Sequence, residues 1–318
     1  MSQLPNQIPE SDRRVLNVRG YDVGQYLGGG AYGSVFVGQC NELAYKHSEV
    51  TPELVQRCMT EKKSTVFKEG TDGKLYYNES LSGKPCAIKM LLISQSQAHF
   101  MYNEGQLLKD LKHQNIIEIY GIVDTLNTMY IITELITGGT MENYIKQCRR
   151  TNQRISQWQV RDLFRQMMSG LQYMHCKRVV HRDISLWNIM LQIRDLNLPG
   201  QVVVKYIDFG SALNMDVYTA QVGTPRGHTI QGVTEYNDIR SLSAVFKAVL
   251  SVSDFADSQL KNRIQHIVTL MDYSFDPHYR LVEALSADLE PLFEQLPPEQ
   301  PQLIGTTGQR SGSGTATN

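Results

Sequence analysis

The sequence predicts an α+β chain in two lobes, a small β-rich lobe followed by a larger, mainly helical one. Three observations predict it. The chain has 318 residues, enough for one large domain or two lobes with a real core. Between about 20 and 136, apolar residues come in short strand-like runs such as SVFVG, CAIKML and MYIITEL. Beyond 137 the spacing changes to the three- and four-residue steps of amphipathic helices. A cleft between two such lobes is a natural ligand site.

Composition narrows the class. Lys and Arg number 31 against 32 Asp and Glu, a net charge of −1, so no field of one sign exists to attract nucleic acid or a membrane surface. Hydrophobic residues make up 41% of the chain, which excludes wholesale disorder. The five cysteines are odd in number, widely spaced and free of any Cys-x-x-Cys, so neither a disulfide framework nor a zinc site is expected. No apolar run is long enough to span a membrane, and MSQLPNQIPESDRR lacks the apolar centre of a signal peptide. A cytoplasmic or nuclear location, not secreted and not transmembrane, is the expectation.

Taken in order, residues 1–19 are polar and are expected to be a flexible lead-in. The stretch from Val35 to Lys89 is far longer than a hairpin needs, so about 39–84 is read as an insertion. Inside it, Thr51-Pro52-Glu53 resembles a helix start, and Asp72-Gly73 suggests a turn between TVFKEG and KLYYNE. A solvated decoration and a partner-docking site are both open for it. The clearest helix begins at Ser156, with Gln159 placed for a capping box, and runs through Val160, Leu163, Phe164, Met167, Met168, Leu171 and Met174. Further helices follow Asp238 and run through Leu260–Met271 and Leu281–Leu292. From 296 to 318 the chain is Pro, Gln, Gly, Ser and Thr with few anchors, and a disordered tail is expected.

Four motifs carry chemistry. YLGGGAYGSVF spaces Gly28, Gly30 and Gly33 as G-x-G-x-x-G, yet Ser34-Val35-Phe36-Val37 continues as a strand, which argues against a Rossmann helix. Missing side chains there allow backbone N–H groups close to phosphate oxygens, although a glycine-rich hairpin alone would look the same. Lys89 sits inside the apolar strand Pro85–Met90, where a lone ammonium is costly, so it needs an anionic partner. Glu104, on a helical face with Leu107, Leu108 and Leu111, is the candidate. His181-Arg182-Asp183-Ile184-Ser185-Leu186-Trp187-Asn188 and Ile207-Asp208-Phe209-Gly210 put polar groups between apolar strands. Asp183 can accept a hydroxyl proton, while Asn188 and Asp208 offer the hard oxygen ligands that magnesium prefers.

Together these motifs resemble the eukaryotic protein kinase family, of a divergent serine/threonine type, over about residues 20–295. The resemblance implies a two-lobed kinase-like fold, with an N-lobe at 20–136 and a C-lobe at 137–295. It implies ATP and Mg2+ as cofactors and a protein substrate, with a role in intracellular signalling. By that likeness Gly28, Gly30 and Gly33 cover the phosphates, and Lys89, paired to Glu104, binds them. Asp183 is the base, and Asn188 and Asp208 hold magnesium. Leu27, Val35, Ala87 and Met190 line the base pocket, Thr133 is the gatekeeper, and the Glu134 carbonyl and Ile136 N–H bond adenine. Gly223-Thr224-Pro225 resembles a substrate-facing loop and Asp238 an anchoring aspartate, with Arg280 a late structural arginine. Tyr218, Thr219 and Thr224 are candidates for regulatory phosphorylation, because Arg182 precedes the base.

The chain also departs from the family. Ser185, Leu186 and Trp187 carry no positive charge where many family members place a lysine or arginine, which removes part of the electrostatic support for transfer. Arg226 is a candidate substitute. Thr229-Ile230-Gln231 stands where Ala-Pro-Glu is usual, so Arg280 would meet a neutral amide. Two other functions stay open at this point: a pseudokinase scaffold with little phosphotransfer, and a kinase of small molecules.

Overall fold

The computed structural model describes residues 5–30, 33–49, 67–69, 74–93, 98–193, 202–217, 235–272 and 282–297. The N-lobe contains helix α1 (Glu10–Val18), strands β1 (Tyr21–Gly30), β2 (Gly33–Cys40), β3 (Tyr45–Glu49), β4 (Phe67–Glu69), β5 (Leu75–Ser80) and β6 (Pro85–Leu92), helix α2 (Ala98–Asp110), and strands β7 (Ile119–Asp124) and β8 (Thr128–Glu134). Then come α3 (Met141–Thr151), β9 (Ile155–Ser156), α4 (Gln157–Cys176), β10 (Val179–Val180), β11 (Ile189–Ile193), β12 (Val202–Tyr206) and, after a short 3-10 turn at Phe209–Ser211, β13 (Leu213–Asn214). The chain continues with α5 (Glu235–Ser251), β14 (Ser253–Asp254), α6 (Ser258–Leu270) and α7 (Val282–Phe293). This is the α+β, two-lobed arrangement expected.

An antiparallel five-stranded sheet in the order β1-β2-β6-β8-β7 forms the first lobe. Its strands alternate: in β2, Ser34, Phe36 and Cys40 are buried while Val35 and Val37 are half-buried; in β6, Cys86, Ile88 and Met90 are buried while Ala87 and Lys89 are not. The strand period of two therefore sends one set to the apolar core and the other to the opposite face.

Residues 1–19 were expected to be flexible, and the structure corrects this for the part it describes. Glu10–Val18 is a helix, with Ile8 and Leu16 buried in the same cluster as Phe36, Ile88, Met90 and Tyr130. Asp12 Oδ2 accepts from Tyr130 Oη at 2.7 Å and Thr125 Oγ1 at 3.0 Å, and Arg13 donates to the carbonyls of Ile8 and Val23. Only Val15 and Leu16 of this polar helix touch the sheet among its apolar residues, too sparse a stripe to stand out by periodicity. Asp12→Ala is expected to destabilise the protein by about 1–3 kcal/mol, because it removes the carboxylate that accepts from the hydroxyl of the buried Tyr130; thermal denaturation measures it.

The insertion is partly a second sheet, ordered β3-β5-β4. β4 and β5 pair antiparallel as Phe67↔Tyr77, Lys68↔Tyr76 and Glu69↔Leu75, the two arms of the expected hairpin. Asp72-Gly73 and Thr51-Pro52-Glu53 lie outside the described residues.

The helical lobe is built around α4. Its capping box is present: Gln159 N donates to Ser156 Oγ at 3.3 Å, and Ser156 N donates to Gln159 Oε1 at 2.9 Å. Phe164 stacks on Phe246 of α5 with centroids 3.7 Å apart and meets Phe293 of α7 edge-on at 6.2 Å. Where α4 crosses β12, a Cβ on Gly170 would lie 2.9 Å from the Tyr206 ring, so glycine permits the approach. α5 begins at Glu235, three residues before Asp238, and α7 runs through Pro291. At the far end, Leu296 still packs on this core and Trp158 Nε1 donates to the Pro297 carbonyl at 2.9 Å, so the expected tail boundary at 296 falls slightly early. Residues 298–318 lie outside the described residues. Among the described residues no helix is long and apolar enough to cross a membrane.

Candidate active site

Lys89 lies on the less buried face of β6, between Ile88 and Met90 that point into the core. Its ammonium is 2.9 Å from both carboxylate oxygens of Glu104 and 2.9 Å from Asp208 Oδ1. α2 delivers Glu104 because Leu107, Leu108 and Leu111 bury the same side of the helix. The partner that burial of a lysine demands is therefore present twice over. Burial alone would drive the Lys89 pKa down, but the two carboxylates outweigh it and hold it above the ordinary lysine value. One cation shared by two anions cannot satisfy both equally. Burial keeps Glu104, the more enclosed carboxyl, above its usual pKa against the pull of Lys89. Burial works against Asp208 too, yet Lys89 and the Gly210 N–H hold it below.

Asp208 adopts a left-handed backbone, φ 59° and ψ 77°, unusual for a residue other than glycine. Its Oδ1 accepts from Gly210 N at 3.4 Å, and the fully buried Phe209 anchors the turn. The β11–β12 pair, with Ile189 opposite Tyr206, brings Asn188 and Ile207 together, and Ile207 N donates to the Asn188 carbonyl at 3.0 Å.

Between β10 and β11 the chain carries Asp183. Asn188 Nδ2 donates to the Asp183 carbonyl at 2.9 Å and to its Oδ2 at 2.8 Å. This fixes the carboxylate, and it turns Asn188 Oδ1 away from Asp183. Beneath the loop, Asp238, only 1% exposed, accepts from His181 N and Arg182 N at 2.8 Å each and meets His175 Nε2 at 3.1 Å. Arg182 is held at φ 68°. The Asp183 amide donates to His181 Nδ1 at 3.3 Å, so Nε2 carries the proton and donates to the Ile207 carbonyl at 3.1 Å.

Of the remaining candidates, Val35, Ala87 and Thr133 share the sheet face of Lys89. Val35 is opposite Lys89, Ala87 is opposite Thr133, and both Val35 and Ala87 are half-buried. Met190 bridges to Thr140, where the chain enters α3. Gly30 pairs with Gly33 to close the β1–β2 hairpin, Gly28 has open space around it, and Leu27 is exposed. A Cβ on Gly33 would lie 2.3 Å from the Met90 carbonyl, so this position admits glycine alone without a shift of the sheet. Thr133 Oγ1 donates to the Glu134 carbonyl at 3.2 Å, and Ile136 is buried.

A chain of ion pairs at the end of β8 has no signature in the sequence. Glu134 Oε1 accepts from Lys205 Nζ on β12 at 2.6 Å and from Glu118 N at 2.8 Å. The Glu118 carboxylate pairs with Lys46 of β3, which also pairs with Glu79 of β5 at 3.1 Å. Lys46 thus ties the insertion to Glu118, whose main-chain N–H donates to Glu134 at the end of β8. No local pattern joins residues so far apart in sequence.

No cation enters the Asp183–Asn188 segment from within. Trp187 is 55% exposed, with Lys146 Nζ 4.9 Å from the ring centroid and paired to Glu142 at 3.0 Å. Tyr218, Thr219, Gly223-Thr224-Pro225, Arg226, Thr229-Ile230-Gln231 and Arg280 lie outside the described residues.

The sequence profile of the protein kinase domain matches residues 65–296. The chain belongs to the protein kinase family. The match begins inside the insertion, so the glycine hairpin precedes it and is tied to the kinase domain by pairing of β2 with β6. The kinase is 25% identical over 253 residues to Serine/threonine-protein kinase PLK4 of Danio rerio, covering 75% of this chain and 25% of that protein. It is 29% identical over 152 residues to Serine/threonine-protein kinase PLK4 of Aedes aegypti, covering 45% of this chain and 18% of that protein. With Serine/threonine-protein kinase SIK1 of Rattus norvegicus it shares 33% over 118 residues, 37% of this chain and 14% of that protein. The kinase thus spans a quarter or less of the length of these relatives.

Proposed function

We propose that this kinase transfers the γ-phosphoryl group of Mg-ATP to a serine or threonine hydroxyl of a protein substrate. The observation that carries the reading is the joint placement of Lys89, Glu104 and Asp208 in one ion cluster, with Asp183 oriented by Asn188, whose carbonyl accepts from the N–H of Ile207 next to Asp208. The names of the relatives support serine or threonine as the acceptor.

The site fits the cofactor. Among the described residues no cluster of three or more His, Cys, Asp or Glu forms a self-sufficient metal cage. Magnesium is usually held by one or two carboxylates plus phosphate oxygens and water. Asp208 Oδ2 makes no hydrogen bond among the described residues, and Asn188 Oδ1 faces away from Asp183, so these two oxygens would hold it. Bound Mg-ATP supplies the phosphoryl group and neutralises charge that develops on its oxygens. Lys89 binds the α and β phosphates, and the backbone N–H groups around Gly28, Gly30 and Gly33 cover them. The Glu134 carbonyl and Ile136 N–H hold adenine between Leu27, Val35, Ala87 and Met190. Asp183 takes the hydroxyl proton as the substrate oxygen bonds to the γ phosphorus, while the bond from that phosphorus to the β–γ bridging oxygen breaks and ADP leaves.

The test is transfer from labelled Mg-ATP to the protein itself and to generic protein substrates, followed by phosphoamino-acid analysis. Lys89→Met is expected to lower transfer by about 10²–10³-fold, because it removes a preorganised charge from the phosphates. A second reading, a nucleotide-binding scaffold with little turnover, is favoured by the uncharged Ser185, Leu186 and Trp187. Nucleotide binding with no transfer to any protein by the unmodified kinase would establish that reading instead.

A further inference from the structure

From the segment at residues 5–18 we infer a clamp that positions the phosphate-covering hairpin from the outside of the N-lobe sheet. Ser34, immediately after the last glycine of the hairpin, is 0% exposed, and its Oγ donates to the Pro5 carbonyl at 2.6 Å. β2 alternation puts Ser34 on the outer face with Phe36, opposite in sense to the cleft-facing Val35. The segment is fastened again at a distance. Ile8 and Leu16 are buried against the sheet, Arg13 Nη1 donates to the Val23 carbonyl of β1 at 3.3 Å, and Asp12 receives Tyr130 of β8. One short stretch of chain thus grips β1, β2 and β8 together.

The hairpin needs such support. Gly28, Gly29, Gly30 and Gly33 leave it poor in side chains, the β1–β2 register slips between Val23 and Tyr26 and again between Tyr26 and Gly28, and Leu27 is exposed. A backbone with few packing contacts opens readily. A buried hydroxyl bonded to a fixed carbonyl limits that opening from the face no nucleotide reaches. Ser34 is therefore a positioning residue, acting through the backbone of its neighbours on the phosphate end of the nucleotide. This inference rests on the reading of the cleft as a nucleotide site.

The experiment uses the full chain, Ser34→Ala, a variant lacking residues 1–7, and the two changes combined. Mg-ATP and adenosine affinities are measured for each, and hydrogen exchange of the amides at 24–38 is followed without nucleotide. Either change alone should weaken Mg-ATP binding by about 3- to 10-fold, the worth of one hydrogen bond, with adenosine affinity unchanged. The combination should be no weaker than either alone, since both remove the same bond. Hairpin amides should exchange faster while those of α4 stay as they were. Additive losses, equal losses for adenosine, or unchanged hairpin exchange would overturn the clamp. Failure of the unmodified protein to bind Mg-ATP would instead overturn the nucleotide reading, and the exchange data would still decide whether the clamp exists.

Discussion

Exchange of Asp183 for asparagine is expected to leave a folded, nucleotide-binding protein whose phosphoryl transfer is lower by a factor of about 10²–10⁴. The replacement is close to isosteric. Asparagine keeps a carbonyl oxygen to accept from Asn188 Nδ2, which now meets Asp183 Oδ2 at 2.8 Å, and keeps the main-chain carbonyl that the same group bonds at 2.9 Å. What it loses is the capacity to take a proton from an attacking hydroxyl. Lys89, Glu104 and Asp208 are untouched, so nucleotide affinity should stay within a factor of a few. Steady-state transfer beside a Mg-ATP binding measurement separates the two effects. Transfer retained within tenfold would mean that the proton leaves by another route and that Asp183 is not the base. Loss of both transfer and binding would point to a disturbed loop, which a thermal melt would reveal.

The parts of this kinase that were legible in the sequence are those where one local rule decides. Lys89 inside CAIKML could be buried only with an anion beside it, and Glu104 on a leucine-faced helix meets it at 2.9 Å. Ser156 and Gln159 announced the start of α4 because a capping box is a four-residue pattern. Asn188 and Asp183 are five residues apart, and their hydrogen bond needs only the loop between two strands. Features that depend on distant pairing were hidden. α1 is mostly polar, and it is held by Leu16 in a pocket made from strands far along the chain, and by Asp12 on Tyr130. The Glu134–Lys205 pair needs β12 to pass the end of β8, which no spacing foretells. Asp208 could be named from its motif, but its left-handed backbone, which turns the carboxylate toward Lys89, could not.

Removal of the Asp238 side chain should damage both stability and rate, by routes that can be told apart. Asp238→Ala leaves the N–H groups of His181 and Arg182 without their acceptor and deprives His175 Nε2 of its partner, all around a position that is 1% exposed. Each buried group left unsatisfied costs about 1–3 kcal/mol, so a total of about 3–5 kcal/mol is expected. For a domain of this size that lowers the melting temperature by on the order of 10 °C. Asp238 also lies in the first turn of α5, where a negative charge complements the helix dipole, and alanine forfeits this too. The second route is through geometry. Arg182 is held at φ 68°, a conformation that costs a residue with a side chain on the order of 1–3 kcal/mol and persists only while something enforces it. The two N–H bonds to Asp238 are that enforcement. Released, residues 181–183 relax toward ordinary backbone and carry Asp183 with them, and a shift of about 1 Å can cost 10²-fold in rate. Asp238→Asn, which keeps one carbonyl acceptor, should fall between the wild type and alanine in both measures. Transfer is therefore to be measured well below the melting temperature of each variant, where all are folded. A rate that is normal there in Asp238→Ala, despite the lowered melting temperature, would confine Asp238 to stability and deny it any part in placing the base.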